Sequence, residues 1–208
     1  GRRRSGRADA LAEAMIEVRR LSRQEAEAAF DGLARLRIEV FRDFPYLYEG
    51  DVDYERRYLA TYMASPGAVI VGAFDGTELV GAATASPLAD HFGEFAQPFA
   101  ARGLDPAEFF YFGESVLRKR YRGRGVGVRF FKEREKAARE AGFARCVFCA
   151  VVRPADHPAR PADYTPLDAF WAKRGYGRIE GLVTGFSWRD VGEAEETVKP
   201  MEFWEKRL

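Results

Sequence analysis

A basic, glycine-rich segment is the part of the sequence best suited to chemistry. It runs from Glu114 to Arg129 as Glu-Ser-Val-Leu-Arg-Lys-Arg-Tyr-Arg-Gly-Arg-Gly-Val-Gly-Val-Arg. Six Lys or Arg residues lie between Arg118 and Arg129, with no acidic residue among them. The three glycines leave the backbone open to a ligand where free N–H groups begin a helix. The segment therefore predicts a site for a ligand with several phosphates.

The spacing of the glycines narrows the type of phosphate loop. A Walker A loop ends in Gly-Lys-Ser/Thr, and a dinucleotide fingerprint would need a glycine at position 128, which is Val128. The pattern that fits is Arg-x-x-Gly-x-Gly, at Arg122, Gly125 and Gly127. In this pattern the sequence resembles the GNAT superfamily of N-acyltransferases.

The resemblance extends from Ile16 to about Trp188 and implies acetyl-coenzyme A as cosubstrate. It implies that the loop holds the pyrophosphate and that the preceding strand pairs with the pantetheine arm through its backbone. The implied cofactor-binding residues are Val116, Leu117, Arg122, Gly123, Arg124, Gly125, Val126 and Gly127.

A second family segment reads Asn-x-x-Ala-x-x-Leu-Tyr-x-x-x-Gly-Phe. At equivalent spacing this chain has Tyr164, Leu167, Phe170, Trp171, Gly175 and Tyr176. Trp171, expected beside the cofactor, replaces the tyrosine that often protonates the leaving thiolate, and an indole has no acidic proton to give. Either Tyr164 supplies that proton or the thiolate leaves unassisted.

Glu114 is the expected general base, since acyl transfer to an amine needs a proton acceptor. It lies in an otherwise apolar stretch, Phe109 to Leu117, where desolvation makes a carboxylate a stronger proton acceptor. The alternative is a structural carboxylate paired with a core arginine. The Leu117 N–H is expected to polarise the thioester carbonyl.

An aromatic loop is the expected acceptor site. Phe44, Tyr46 and Tyr48 would flank an amine, and an acidic edge that follows would attract its charge, at Glu49, Asp51 or Asp53. The alternative is that these rings fill the edge of the core while the acids face water.

The elements that must position these residues follow from hydrophobic period and turn signals. They predict one α/β domain with a mixed, mostly antiparallel central sheet flanked by helices. The expected strands are 16–21, 69–74, 78–85, 109–117, 146–152 and 182–188, the expected helices 23–41, 52–64, 126–141 and 166–173, and 200–208 is a terminal helix or tail. Residues 87–108 are interpreted as a helix-containing insertion, and residues 1–14 as an extension or tag remnant before a domain at 15–208.

Charge and composition exclude other classes. The chain has 208 residues, with 33 basic against 32 acidic, so its near-zero net charge favours neither nucleic acid nor a membrane surface. Two cysteines and no apolar leader predict a cytoplasmic protein. Cys146 and Cys149 would point to opposite faces of a strand, and His91 and His157 lack partners at ligand spacing, so no metal site is expected.

The predicted activity is transfer of an acetyl group from acetyl-coenzyme A to a primary amine of a small molecule or peptide by direct attack. The alternative is a catalytically silent acyl-coenzyme A binding module, and a homodimer remains open.

Overall fold

The computed structural model describes residues 16–90 and 93–208. Its centre is a seven-stranded sheet built from Ile16–Arg20 (β1), Val69–Asp75 (β2), Glu78–Pro87 (β3), Phe109–Leu117 (β4), Arg145–Val151 (β5), Gly177–Trp188 (β6) and Thr197–Arg207 (β7). The spatial order is β1-β2-β3-β4-β5-β7-β6, and every pair is antiparallel except β4 with β5. The predicted fold class is confirmed.

Six α-helices are described within these residues: Arg23–Ala28 (α1), Phe30–Phe41 (α2), Val52–Met63 (α3), Gly93–Ala101 (α4), Val126–Glu140 (α5) and Asp168–Lys173 (α6). Helices α2 and α3 bury Leu33 and Leu59 against one face of the sheet, together with Val116 of β4. Helix α5 buries Phe130 and Phe131 against the other face. The apolar stripe of each helix thus faces the sheet, as an amphipathic pattern requires.

The first predicted helix is divided. Ser22 caps α1 in a capping box with Glu25, and the helix gives way to α2 at Ala29. The backbone of Ala29 stays in the right-handed region, with φ −89° and ψ −3°, and its carbonyl accepts from Leu33 N–H at 2.8 Å. The hydrophobic pattern could not mark this division because the hydrogen bonding continues through it.

The prediction of a terminal helix or tail at 200–208 is wrong, because this segment is most of strand β7. Phe203 and Trp204 are buried on opposite faces of the sheet, so both faces of β7 are covered and the usual alternation of apolar and polar residues is lost. Arg145 on β5 pairs with Glu205 at 2.6 Å across the strands. Charged residues such as Glu205 made the segment resemble a surface tail, but this ion pair allows Glu205 to lie within the sheet.

The predicted insertion contains α4 between two single turns of 3₁₀-helix, Leu88–Asp90 and Pro106–Glu108. Phe95 and Phe99 of α4 contact Tyr111, Phe109 and Phe203 in the sheet. The insertion therefore covers the same face of β4 as α2 and α3, next to the functional residues discussed below.

Residues 1–15 and His91 lie outside the described residues. The predictions that 1–14 form an extension and that the domain starts at 15 concern these residues. Among the residues described, no helix is both long and apolar enough to cross a membrane.

Candidate active site

A gap separates β4 from β5 beyond the first residues of these strands. The two parallel strands pair only from Phe109 with Arg145 to Tyr111 with Val147. Both strands continue beyond this point, β4 to Leu117 and β5 to Val151, without a described pairing between them. The facing backbone groups of these strand ends are therefore not satisfied by each other, and Leu117 O accepts instead from Arg122 Nε at 3.3 Å.

Leu117 directs its backbone into this gap. The next residue, Arg118, donates its N–H to Val80 O of β3 at 3.0 Å. Alternate residues of a strand present their N–H and C=O groups to opposite edges, so Leu117 faces β5. Val116 faces β3 instead, since its carbonyl lies 2.9 Å from where a side chain on Gly81 would begin. Of the two predicted backbone partners, Leu117 is the one whose backbone groups face the gap.

A β-bulge in β4 sets the direction of Glu114. The register with β3 shifts between Ala83 and Ala85, so that β4 has one additional residue there. Gly113 is required at this point, because a Cβ would lie 2.4 Å from Thr84 Oγ1. The same hydroxyl accepts the Glu114 N–H at 3.2 Å. An extra residue reverses the alternation of faces, and the Glu114 side chain thereby joins Tyr111 on the face covered by α2 and α3.

The glycine-rich loop, Arg122–Gly127, lies at the open end of the gap. Gly123 and Gly125 have φ of +75° and +78°, and a Cβ on either would meet no protein atom within 4 Å. Gly125 caps α5 without a side-chain hydrogen bond, and the first intrahelical bond runs from Arg129 N–H to Gly125 O. The N–H groups of residues 126–128 therefore point out of the helix end with no intrahelical acceptor.

Gly127 has a different role from the other two glycines. A Cβ there would lie 3.4 Å from Phe170 Cζ of α6. Its small size allows α5 and α6 to pack closely, whereas Gly123 and Gly125 leave space on the solvent side.

The six basic residues around the loop are only partly uncompensated, which corrects the view from the sequence alone. Arg118 pairs with Glu39 at 3.2 Å and with Glu78, and Arg120 lies 4.0 Å from Asp75. Within residues 16–90 and 93–208, no ion pair is described for Lys119, Arg122, Arg124 or Arg129, and Arg129 donates to Ile16 O at 3.0 Å. The tertiary structure thus concentrates the free positive charge at the glycines.

Glu114 is buried, with 7% of its surface exposed, and it is paired with a core arginine. The Arg37 Nη1 atom lies 2.6 Å from Glu114 Oε1, and Tyr58 donates its hydroxyl to Glu114 Oε2 at 3.4 Å. The alternative that the sequence left open, a carboxylate paired with a buried arginine, is therefore present. The pair lies next to the bulge, in the part of β4 beyond its pairing with β5.

The aromatic loop is anchored to the far end of the sheet. Arg153 donates to Asp190 through two bonds of 2.9 Å and to the carbonyls of Pro45 and Tyr46 at 2.7 and 2.8 Å. Trp188 Nε1 also donates to Tyr46 O, at 3.0 Å. These bonds hold the loop against the C-terminal end of β5.

The predicted acidic edge of this loop is largely engaged elsewhere. Asp51 caps α3 by accepting from Tyr54 N–H at 2.9 Å, and Glu49 accepts from Arg42 at 3.1 Å. Asp53 lies 3.7 Å from Arg56 on the exposed side of α3. The three acids of this edge are therefore engaged in a helix cap and in pairs with neighbouring arginines.

Tyr164 packs against the aromatic loop. Its ring meets Phe44 edge-on with centroids 4.7 Å apart, and Phe44 also contacts His157. Burial raises the pKa of Tyr164, which keeps its hydroxyl protonated and able to donate. Burial also raises the pKa of Tyr46, and neighbouring Cys149 and Tyr164 act in the same direction. Tyr164 therefore lies beside two of the three predicted acceptor residues, Phe44 and Tyr46.

Trp171 lies on the opposite face from these residues. It packs between Phe148 and Trp204, with ring centroids 5.0 and 5.1 Å away, and it is half-buried. These contacts make Trp171 part of the apolar core beside the gap.

The cysteines lie on opposite faces of β5, as their spacing predicted. Cys146 belongs to the core under α5, and Cys149 contacts Tyr111 on the other face, with Sγ 3.4 Å from the hydroxyl. Burial raises the pKa of each thiol to about 12. In the described part of the chain, no three His, Cys, Asp or Glu side chains are grouped as metal ligands.

Comparison with known proteins now decides the family. The sequence model of the Acetyltransferase (GNAT) family matches residues 33–176, which is more than half of the chain. This chain is a GNAT acetyltransferase. The match includes Glu114, the bulge, the glycine-rich loop and Trp171, and it establishes an acyltransferase. No curated protein sequence matches significantly.

Solved structures share the fold of this GNAT acetyltransferase at low sequence identity. The ribosomal-protein-alanine N-acetyltransferase of Brucella melitensis has a TM-score of 0.60 at 15% identity, over 92% of this chain and 99% of that one. The paiA N-acetyltransferase of Thermoplasma acidophilum, in complex with coenzyme A, has a TM-score of 0.52 at 14% identity, over 93% and 99%. The yncA protein of Salmonella typhimurium, with its cofactor acetyl-CoA, has a TM-score of 0.58 at 12% identity, over 93% and 94%.

Sequence reasoning missed three residues at the site of this GNAT acetyltransferase: Arg37, Glu55 and Thr84. Arg37 follows Leu33 by four positions and Glu55 precedes Leu59 by four, so both charges lie on apolar helical stripes. A charge on such a stripe signals a buried pair. Gly113, isolated inside an apolar strand, signals the bulge, but only the tertiary contact identifies Thr84 as its partner.

Proposed function

We propose that this chain transfers the acetyl group of acetyl-coenzyme A to a primary amine of a small molecule or peptide by direct attack. The observation that carries the proposal is the continuity of the glycine-rich loop with the β4–β5 gap and Glu114. A pyrophosphate at Gly125 would place the pantetheine arm along Leu117 and lead the thioester toward the bulge.

The residues present fit such a cosubstrate. The space beside Gly123 and Gly125 would be filled by any side chain there, and outward N–H groups at 126–128 suit phosphate oxygens. Arg122 and Arg124 add positive charge. Arg122 already donates to Leu117 O at 3.3 Å, which ties the loop to the strand that lines the gap.

When bound, the cosubstrate supplies an activated acetyl thioester. The amine nitrogen forms a bond to the acetyl carbon as the carbon–sulfur bond breaks. Glu114 accepts the proton that the amine loses, directly or through water, and the Leu117 N–H donates to the carbonyl oxygen as charge develops on it. The thiolate takes its proton from the Tyr164 hydroxyl or from water.

The acceptor site is the cluster of Phe44, Tyr46, Tyr48 and Tyr164. Burial raises the pKa of each of the three tyrosines, so their hydroxyl groups stay neutral, and that of Tyr48 donates to Glu55. Such a wall suits an amine with an apolar or hydrogen-bonding body, and Glu114 supplies the negative charge for its ammonium form. Peptide amines belong among the candidates, since the Brucella melitensis relative is a ribosomal-protein-alanine N-acetyltransferase.

Release of free thiol from acetyl-coenzyme A, measured across polyamines, amino acids, aminoglycosides and peptides, tests the proposal. With an active amine, Glu114→Gln should lower kcat by roughly 100- to 10,000-fold, because loss of general base catalysis has that size. Its Kd for coenzyme A should stay at the wild-type value.

Glu135→Gln is the matched control. Glu135 is a buried carboxylate on the opposite face, held by Tyr176 and Lys206 at 2.9 Å each, and its loss should leave proton transfer to Glu114 intact. Coenzyme A binding without thiol release from any amine would favour the silent binding module. Full kcat in Glu114→Gln would remove the proposed base.

A further inference from the structure

Three charged side chains form a buried network behind the proposed base. Arg37 of α2 lies between Glu55 of α3 and Glu114 of β4, and their side chains are 10%, 0% and 5% exposed. The Arg37 Nε atom donates to Glu55 Oε2, and its Nη1 atom is the ion-pair partner of Glu114 Oε1. One guanidinium is thus shared by two carboxylates that come from different elements.

Two tyrosines extend the network at its ends. Tyr48, from the aromatic loop, donates its hydroxyl to Glu55 Oε1 at 2.8 Å, and Tyr58 donates to Glu114 Oε2. The Arg37 guanidinium also stacks over the Tyr58 ring, 4.5 Å from its centroid. The aromatic loop is therefore connected to Glu114 through a continuous chain of polar contacts.

The two ion pairs of Arg37 differ in quality. The bond to Glu55 has hydrogen-bond geometry, whereas the contact with Glu114, although only 2.6 Å long, lacks it, and Glu114 Oε1 has no aligned donor. Burial alone would lower the pKa of Arg37, but Glu114, Tyr58 and Glu55 raise it, so the guanidinium is positive at every working pH. Glu55 thus takes the aligned hydrogen bond of this permanently charged guanidinium, whereas Glu114 Oε1 lies close to the charge without an aligned hydrogen bond.

We propose that Arg37 is a positioning residue for Glu114, and that Glu55 limits how strongly Arg37 holds the ionised form of Glu114. This inference rests on the proposed function, in which Glu114 accepts a proton. Without Glu55, the whole guanidinium charge would act on Glu114 and make it a weaker base. Without Arg37, two buried carboxylates would face each other, and Glu114 would be protonated over a wider pH range.

No other group described near Glu114 opposes the charge of Arg37 as Glu55 does. Its titratable and charged neighbours are Arg37 on α2, Tyr58, Tyr62 and Glu55 on α3, Tyr111 on β4 and Arg134 on α5. Burial raises the pKa of the three tyrosines, so they stay neutral. Burial lowers the pKa of Arg134 to about 10, so it stays positive at neutral pH as a constant background. Among the described residues near Glu114, Glu55 is therefore the one other acid.

The proposal predicts that removing Glu55 and removing Arg37 shift the pH dependence of activity in opposite directions, which a purely structural role would not do. The measurement is log kcat/KM against pH with one amine, whose own ionisation is common to all variants. The limb that Glu114→Gln abolishes reports Glu114, and activity falls there as the pH falls.

Glu55→Gln should move that limb to lower pH by about one unit, because it removes a negative charge and frees Arg37 for Glu114. Arg37→Gln should move it to higher pH by roughly one to three units, and Arg37→Lys should return most of that shift. Tyr48→Phe, which removes a donor to Glu55 without removing a charge, should move the limb slightly upward.

Glu135→Gln is again the control and should leave the limb in place. If Arg37→Gln does not fold, Glu55→Gln and Tyr48→Phe still give the opposite pair. Loss of thermal stability in these variants with an unmoved limb would overturn the proposal and leave the network as a link between α2, α3 and β4. Absence of any limb that depends on Glu114 would instead contradict the proposed function.

Discussion

Replacement of Gly125 by alanine separates backbone strain from ligand binding at the glycine-rich loop. Gly125 has a φ of +78°, a conformation that costs an alanine about 1–2 kcal/mol. Alanine also lowers the entropy of the unfolded chain, which offsets about 0.4–1 kcal/mol of that cost. We therefore expect a net loss of about 1 kcal/mol in the free energy of unfolding, or a Tm decrease of roughly 2–4 °C for a chain of this size.

The effect on coenzyme A should be larger than the effect on stability. The new Cβ would enter space in which no protein atom lies within 4 Å, where the proposed pyrophosphate meets the N–H groups that begin α5. Displacement of the phosphate would weaken one or two hydrogen bonds to a charged group, each contributing about 1.5–3 kcal/mol. The Kd for coenzyme A, measured by calorimetry, should rise by at least about tenfold.

Gly142→Ala, just beyond the other end of α5, is a matched control. Gly142 follows the C-terminus of α5, has a φ of +86°, and its Cβ would also meet nothing within 4 Å. The strain and the loss of stability should therefore be similar at both positions, while only Gly125→Ala weakens coenzyme A. Pantetheine, which lacks the phosphates, should bind both variants equally. An unchanged Kd for coenzyme A in Gly125→Ala, with stability lowered as in Gly142→Ala, would refute the assignment of the loop.

Two further predictions concern the cluster around the aromatic loop. Asp190→Asn should lower the free energy of unfolding by about 3–5 kcal/mol, because it leaves buried Arg153 and Lys199 without their shared carboxylate. Burial would raise the pKa of Asp190, but Arg153 and Lys199 hold it below its usual value; its contribution to stability is present above about pH 4 and is lost as the pH falls through the lowered pKa. Urea unfolding of Asp190→Asn should accordingly show a smaller loss of stability on acidification than the wild type, and equal losses would contradict this account. Tyr164→Phe should lower kcat by about 100-fold if its hydroxyl protonates the thiolate of coenzyme A, and the Kd of coenzyme A should not change. An unchanged kcat with acetyl-coenzyme A would show that water supplies that proton.

Much of the site could be predicted because its signals are local. The pattern of Arg122, Gly125 and Gly127 identifies the loop within six consecutive positions. The apolar run before it predicts β4 with its observed ends, Phe109 and Leu117. Cys146 and Cys149 lie on opposite faces because the period of a strand is two. These features depend only on backbone geometry and neighbouring residues.

The rest depends on contacts between distant segments. Strand β7 enters the sheet between β5 and β6, and no local pattern in 200–208 records that both of its faces will be covered. The acids Glu39, Glu78 and Asp75 reduce the charge beside the glycine-rich loop from positions far away in sequence. An estimate of free charge from a contiguous segment therefore counts too many basic residues.

The sequence by itself determined strand β4 and the family to which the chain belongs, and it predicted a phosphate-binding role for Arg122–Gly127, because glycine conformations and hydrophobic periods act over a few residues. Only the tertiary structure decided which way Glu114 points and what it meets. Thr84 and Gly113 create the bulge that reverses the faces of β4, and α2 and α3 then bring Arg37 and Glu55 to the carboxylate. The basicity of a buried group is set by the charges packed around it, and those charges come from elements that only folding brings together.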